Sequence, residues 1–146
     1  MGTKDVSPQQ GPQHSGAQRQ GRGGGAVRAA VGAFGEDVAA RHLQDQGFVL
    51  LDRNWRCSAG EIDLVARSGG ILVFCEVKTR RGSGFGSPAE AVDRRKAARL
   101  RRLAMRWLSE HEVHPAQVRI DVIGVVMPPR ASGRGGIEVE HLTGVC

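Results

Sequence analysis

The stretch that decides the fold is residues 60–78: Gly60-Glu61-Ile62-Asp63-Leu64-Val65-Ala66-Arg67-Ser68-Gly69-Gly70-Ile71-Leu72-Val73-Phe74-Cys75-Glu76-Val77-Lys78. Two runs, residues 62–67 and 71–78, are apolar and rich in β-branched side chains. Ser68-Gly69-Gly70 between them is hairpin chemistry, because glycine accepts the positive φ angles of a tight turn. A Gly69-Gly70 turn pairs Ser68 with Ile71. Counting outward, Val65 faces Phe74, Asp63 faces Glu76 and Glu61 faces Lys78. Directly paired residues share a sheet face, so four ionisable side chains are expected together near one end of the hairpin. A slip of one residue would send Asp63 to the opposite face from Glu76.

Buried strands rarely carry unpaired charge, because desolvation is expensive. Asp63 and Glu76 nevertheless lie inside the two apolar runs, with Glu61 at the margin. Carboxylates at strand-pair distance repel unless a proton or a cation sits between them. Hard oxygen donors at that spacing suit Mg²⁺, which commonly uses one or two carboxylates plus water and phosphate oxygens. Lys78 follows Glu76 by two residues and shares its face. The chain has only three lysines (Lys4, Lys78 and Lys96) among 21 basic residues, so a lysine at 78 suggests a need for a compact ammonium.

Before this stretch, residues 33–46 read as a helix, with Phe34 and Val38, and Ala39 and Leu43, each four apart. Gly47 is its expected stop. Glu36 aligns with Ala39, Ala40 and Leu43 on the face toward the sheet, either as a structural hydrogen bonder or as a further site acid. A short strand over residues 48–51 is expected to end at Asp52-Arg53-Asn54. After the hairpin, residues 79–86 are a Gly-rich basic loop. Ser87, Pro88 and Glu90 form a capping box that opens a helix running to about Ser109. Its apolar stripe is Leu100, Leu103, Ala104, Trp107 and Leu108, while Arg94, Arg95, Arg99, Arg101, Arg102 and Arg106 cover much of the rest. Residues 118–127 read as a buried strand carrying Asp121, and residues 137–142 as a last strand. The order α-β-β-β-α-β-β implies an α/β or α+β domain with a mixed sheet.

With 146 residues the chain is about one domain, and 40% hydrophobic and 25% charged residues are globular values. No apolar run is long enough to cross a bilayer, and no secretory leader is visible. Three widely spaced cysteines, Cys57, Cys75 and Cys146, argue for a reducing cytoplasm rather than a disulfide framework or zinc site. Residues 1–30 are rich in Gly and Gln and are expected to be a disordered tail of charge +3, leaving residues 31–146 as the folded domain. The total charge is +6, and Lys78 to Arg106 alone holds ten basic residues against Glu90 and Asp93. The remainder of the folded part is therefore acidic. Such polarity fits a phosphate-binding face beside a cation-binding pocket.

Asp63, twelve residues, then Glu76-Val77-Lys78 resembles the Asp…(Asp/Glu)-x-Lys signature of restriction-endonuclease-like nucleases. Gly35-Glu36-Asp37-Val38-Ala39, Asn54-Trp55-Arg56, Gly60-Glu61-Ile62-Asp63, Glu76-Val77-Lys78-Thr79-Arg80, Gly86-Ser87-Pro88, Glu90-Ala91-Val92, Lys96 and Arg99-Leu100 stand around it in order. Together they resemble the YraN family of bacterial proteins, related in fold to archaeal Holliday-junction resolvases, from about Gly32 to Leu142. The resemblance implies a restriction-endonuclease-like core, a central mixed sheet flanked by helices. It matches Asp63 and Glu76 to metal-binding acids, Lys78 to the catalytic lysine and Glu36 to the acid of the first helix. Glu61 would assist or hold Lys78, and Asp121 would support rather than ligate. The implied activity is Mg²⁺- or Mn²⁺-dependent cleavage of DNA, branched DNA included, by a homodimer. Thr79, Arg80, Arg81, Arg94, Arg95, Lys96, Arg99 and Arg102 would contact backbone phosphates, which position a duplex without reading its sequence. A non-catalytic nucleic-acid-binding module of the same fold, and an assembly factor docking an acidic partner through the arginine helix, are the alternatives. Six aromatic residues and no tyrosine give little support to a base-stacking platform.

Overall fold

In the computed structural model, which describes residues 20–82, 92–128 and 135–145, seven elements follow in the expected order. They are α1 (Gln20–Asp45), β1 (Val49–Cys57), β2 (Gly60–Ser68), β3 (Ile71–Arg81), α2 (Arg94–Glu110), β4 (Gln117–Met127) and β5 (Glu138–Leu142). The strands form one sheet in the order β1-β2-β3-β4-β5. Only β3 and β4 run parallel, and α2 makes the crossover between them; the other neighbours are antiparallel. The result is a mixed α/β sheet with one helix on each face.

The hairpin register is the one read from the glycines. Ser68↔Ile71, Arg67↔Leu72, Ala66↔Val73, Val65↔Phe74 and Leu64↔Cys75 are paired. The alternation of β2 and β3 then builds two cores. Leu64, Ala66, Val73 and Cys75 meet Ala39, Ala40 and Leu43 of α1, with Ile123 and Val125 of β4. Val65, Leu72 and Phe74 meet Leu100, Leu103, Ala104 and Trp107 of α2. Phe74 and Trp107 pack edge to face at 5.6 Å, and the buried indole donates to Asp52 Oδ2 at 3.1 Å, so it loses no hydrogen bond on burial. Cys75 fills a core site as a small hydrophobe, and burial pushes its thiol pKa up.

Several boundaries depart from the sequence reading. The region expected to be disordered, residues 1–30, is helical from Gln20; residues 1–19 lie outside the described ones. Residues 25–30 are exposed, so this part of α1 rests on its own local hydrogen bonds and on the helix formers Ala26, Ala29 and Ala30, not on burial. At its other end α1 stops at Gly47, whose φ is +90°. Phe48 N–H donates to Leu43 O at 3.0 Å and Gly47 N–H to Gln44 O at 3.0 Å, the paired bonds of a Schellman cap. Strand β1 does not end at Asp52-Arg53-Asn54. A register shift between Leu50 and Asp52, and Asn54 at φ +53°, absorb those turn formers inside the strand. The capping box at Ser87–Glu90 lies outside the described residues. Val92 and Asp93 are not helical, and α2 starts at Arg94, because the Asp93 carboxylate accepts from Lys96 N–H at 2.9 Å and caps the helix there.

Helix α1 is seated by one close approach. Gly35 is buried against Thr79 of β3, and a Cβ there would overlap Thr79 Oγ1 and crowd its Cβ at 2.8 Å. Thr79, expected on a phosphate, thus forms part of the docking surface for α1. Gly32, one turn earlier, faces open space. Substituting alanine at the two positions should therefore have opposite signs in chemical denaturation. Gly32→Ala should stabilise by about 0.5–1 kcal/mol through helix propensity, and Gly35→Ala should destabilise by about 1–3 kcal/mol through overpacking.

Candidate metal and phosphate cleft

Beyond Leu64↔Cys75 the two hairpin strands part. Strand β2 stays with β1 as far as Cys57↔Gly60, while β3 continues along β4 to Arg81↔Met127. At the branch point Asp63 Oδ2 accepts the backbone N–H of Val77 at 2.7 Å. Asn54 and Asp63 are both missing from the β1–β2 pairing, and the side-chain alternation slips there. Strict alternation would put Ile62 with Leu64, yet Ile62 packs toward α2 beside Val65. The expected pairs Asp63↔Glu76 and Glu61↔Lys78 are therefore not formed as strand partners. Their side chains line the cleft that the fork opens instead.

That cleft has a volume of about 360 Å³ and is walled by Glu36, Glu61, Asp63, Glu76, Lys78, Lys96, Arg99 and the α2 leucines Leu100 and Leu103. Glu76 is the most engaged acid: Lys96 Nζ lies 2.5 Å from its Oε1, and Lys78 Nζ lies 3.2 Å from the same oxygen. Glu36 of α1 reaches the cleft with Arg53 3.7 Å from its carboxylate; Arg53 lies closer to Asp37, at 2.6 Å, and also donates to Ala33 O. Arg99 Nε donates to Ala59 O at 3.3 Å across the β1–β2 turn. Gly60, at φ +141°, leaves it room: a Cβ there would sit 2.7 Å from the guanidinium.

Two of the expected acids find other partners. Glu61 pairs with Arg56 at 2.9 Å rather than with Lys78, because the fork carries it away with β1. Asp121 lies on the other face of the sheet, wholly buried. Both of its oxygens receive Arg119 at 2.9 Å, and it also accepts from His141 at 2.7 Å and Gly144 N–H at 2.9 Å. Arg94, Arg95 and Arg102 are exposed on α2, and Arg80 and Arg81 lie at the end of β3. Lys96 was expected only among the phosphate contacts, yet it sits on an acid. Its spacing carried the signal: Lys96, Leu100 and Leu103 fall at i, i+4 and i+7, on the stripe that faces the sheet. Arg53 has the local pattern of a turn residue, and nothing in that pattern ties it to α1.

Residues 35–125 match the model of the uncharacterised protein family UPF0102. The chain is 60% identical over 121 residues to a UPF0102 protein of Frankia alni, covering 82% of this chain and 98% of that one. A UPF0102 protein of Nocardioides is 54% identical, covering 82% and 94% of the two chains, and one of Streptomyces coelicolor is 53% identical, covering 86% and 97%. Among the described residues, no helix is long and apolar enough to cross a membrane.

The electrostatics of the cleft are lopsided. Burial raises the Asp63 pKa to about 6 from its ordinary 3.8; the Val77 hydrogen bond opposes this, and Glu76, Glu36 and Glu61 add to it. The Lys78 pKa is raised by its close neighbours, the Lys96 side chain first and then Glu76 and Asp63, against the cost of burial. The folded state thus binds more protons than the unfolded one between pH 3.8 and about 6, and stability falls as pH rises through that window. Above it the ionised Asp63 carries the full penalty. Asp63→Asn keeps an acceptor for Val77 N–H and removes the charge. Thermal and denaturant unfolding should find it more stable than wild type by about 2 kcal/mol at pH 7, the gap closing below about pH 4.

Proposed function

The chain belongs to the uncharacterised protein family UPF0102, and we propose that it is a divalent-metal-dependent endonuclease that hydrolyses phosphodiester bonds in DNA. One observation carries this reading: Asp63, Glu76 and Lys78 line a single cleft, beside a helix whose outer face is arginine. The donor chemistry fits Mg²⁺ or Mn²⁺. Among the described residues no three His, Cys, Asp or Glu side chains form a cage by themselves. Mg²⁺ needs none, since one or two carboxylates, water and substrate phosphate complete its shell. Asp63 and Glu76 would hold the ion; burial first, and then the neighbouring Glu76, Glu36 and Glu61, raise the Asp63 pKa, and a bound cation would relieve both.

When bound, the ion supplies Lewis-acid polarisation of a phosphoryl oxygen. The chain's own groups do the rest. Lys78, carried by β3 beside Glu76, orients the attacking water and balances charge that develops on the phosphate. Glu36, held by Arg53, keeps the rim acidic. Arg99 at the lip, and Arg94, Arg95, Arg101 and Arg102 outside it, track the backbone of the duplex. Branched DNA, the substrate class that the YraN resemblance suggests, suits contacts that follow backbone shape without reading bases.

A panel of linear, nicked, flapped and four-way DNA tests this with Mg²⁺, Mn²⁺ or EDTA. Binding should persist in EDTA and weaken steeply with salt. Cleavage should require metal and fall by about 10²–10³-fold or more in Glu76→Gln and in Lys78→Met. Binding without cleavage under any metal would favour the non-catalytic module, and absence of both would overturn the nucleic-acid reading.

A further inference from the structure

The described residues contain two lysines, Lys78 and Lys96, and both rest on one oxygen, Glu76 Oε1. Every other side chain in that part of the chain that is cationic at neutral pH is an arginine. The two ammonium groups reach Glu76 from different places. Lys78 is on the same strand, two residues along, and stays beside Glu76 whatever else binds. Lys96 comes from the first turn of α2, where it lines the cleft and follows the exposed Arg94 and Arg95 in sequence. Its four-carbon stem is flexible, and an ammonium changes partners without the planar geometry that a guanidinium demands.

Resting on the metal reading above, we propose that Lys96 is an exchangeable cation. It neutralises Glu76 while no divalent ion is bound, and it passes to a DNA phosphate when an ion takes Glu76. Two ammonium groups already share that oxygen, and a divalent ion would add a third cation to one half-buried carboxylate, so metal entry must release one of them. The lysine freed is the one whose backbone is not tied to Glu76. Metal and DNA then bind cooperatively, although no part of the chain refolds. The coupling is reciprocal: DNA that captures Lys96 raises the affinity for metal by the same factor.

Full-length wild type, Lys96→Met and Glu76→Gln separate the possibilities. Mn²⁺ binding is read by electron paramagnetic resonance and calorimetry, and binding of four-way DNA by fluorescence anisotropy in EDTA and in Ca²⁺. Lys96→Met should bind Mn²⁺ about tenfold more tightly, since its competitor is gone. It should lose most of the gain that Ca²⁺ gives wild type on DNA over EDTA. Equal or weaker Mn²⁺ affinity in Lys96→Met, or an unchanged Ca²⁺ gain, overturns the exchange and leaves the metal site standing. Failure of both proteins to bind Mn²⁺, or binding that survives Glu76→Gln, overturns the metal reading and the exchange together. Lys96→Gln, shorter and polar, gives the same comparison if the methionine variant folds poorly; its melting curve checks this.

Discussion

The hydrogen bond from Val77 N–H to Asp63 Oδ2 is the point on which the rest of the structure turns. A hairpin that zipped fully would pair Asp63 with Glu76 and leave no cleft. Opening it strands a backbone donor in a half-buried place, and an unpaired buried donor is expensive. The Asp63 carboxylate takes over that donor, so β2 can leave with β1 while β3 runs on beside β4. A short acidic side chain suits this role, because it reaches the neighbouring strand and stays at the base of the fork. The acid at the centre of the site and the device that opens the site are therefore the same residue.

Two aspartates show how environment sorts residues of one type. Asp121 is wholly buried, but an arginine fork, a histidine and a backbone N–H satisfy it, and it ties β4 to β5 and to the residues after β5. Asp63 has one hydrogen bond and three carboxylates close enough to raise its pKa. The first arrangement is structural, with every carboxylate oxygen hydrogen-bonded. The second keeps an unmet demand for positive charge, which stability alone would remove. Lys78 and Lys96 answer part of it, and both are placed on Glu76 rather than on Asp63.

Much of this was legible in the residues. Hairpin register follows from turn chemistry and a period of two, so Val65↔Phe74 and Ser68↔Ile71 could be counted on paper. The stripe of α2 and the Gly47 stop of α1 follow from helical spacing and local hydrogen bonds. Reading failed where a local signal was outvoted by its surroundings. Asp52-Arg53-Asn54 has the composition of a turn, yet β1 passes through it, because Trp55 beyond it packs on the α2 core. The fork was invisible for a related reason: the pairing rule extends a ladder until something stops it, and what stops this one is a side chain acting on another strand.

Element order, the hairpin, the two apolar faces and the concentration of basic residues after Lys78 are written in the residues themselves, because each depends on neighbours a few positions apart. Which charges meet is set by the packing of the folded chain. Arg53 reaches Glu36, Lys96 reaches Glu76, Gly35 lies against Thr79 and Glu61 turns to Arg56, each according to where two helices dock on a forked sheet. Those contacts join elements distant in sequence, and their distances follow from packing, which no local periodicity encodes.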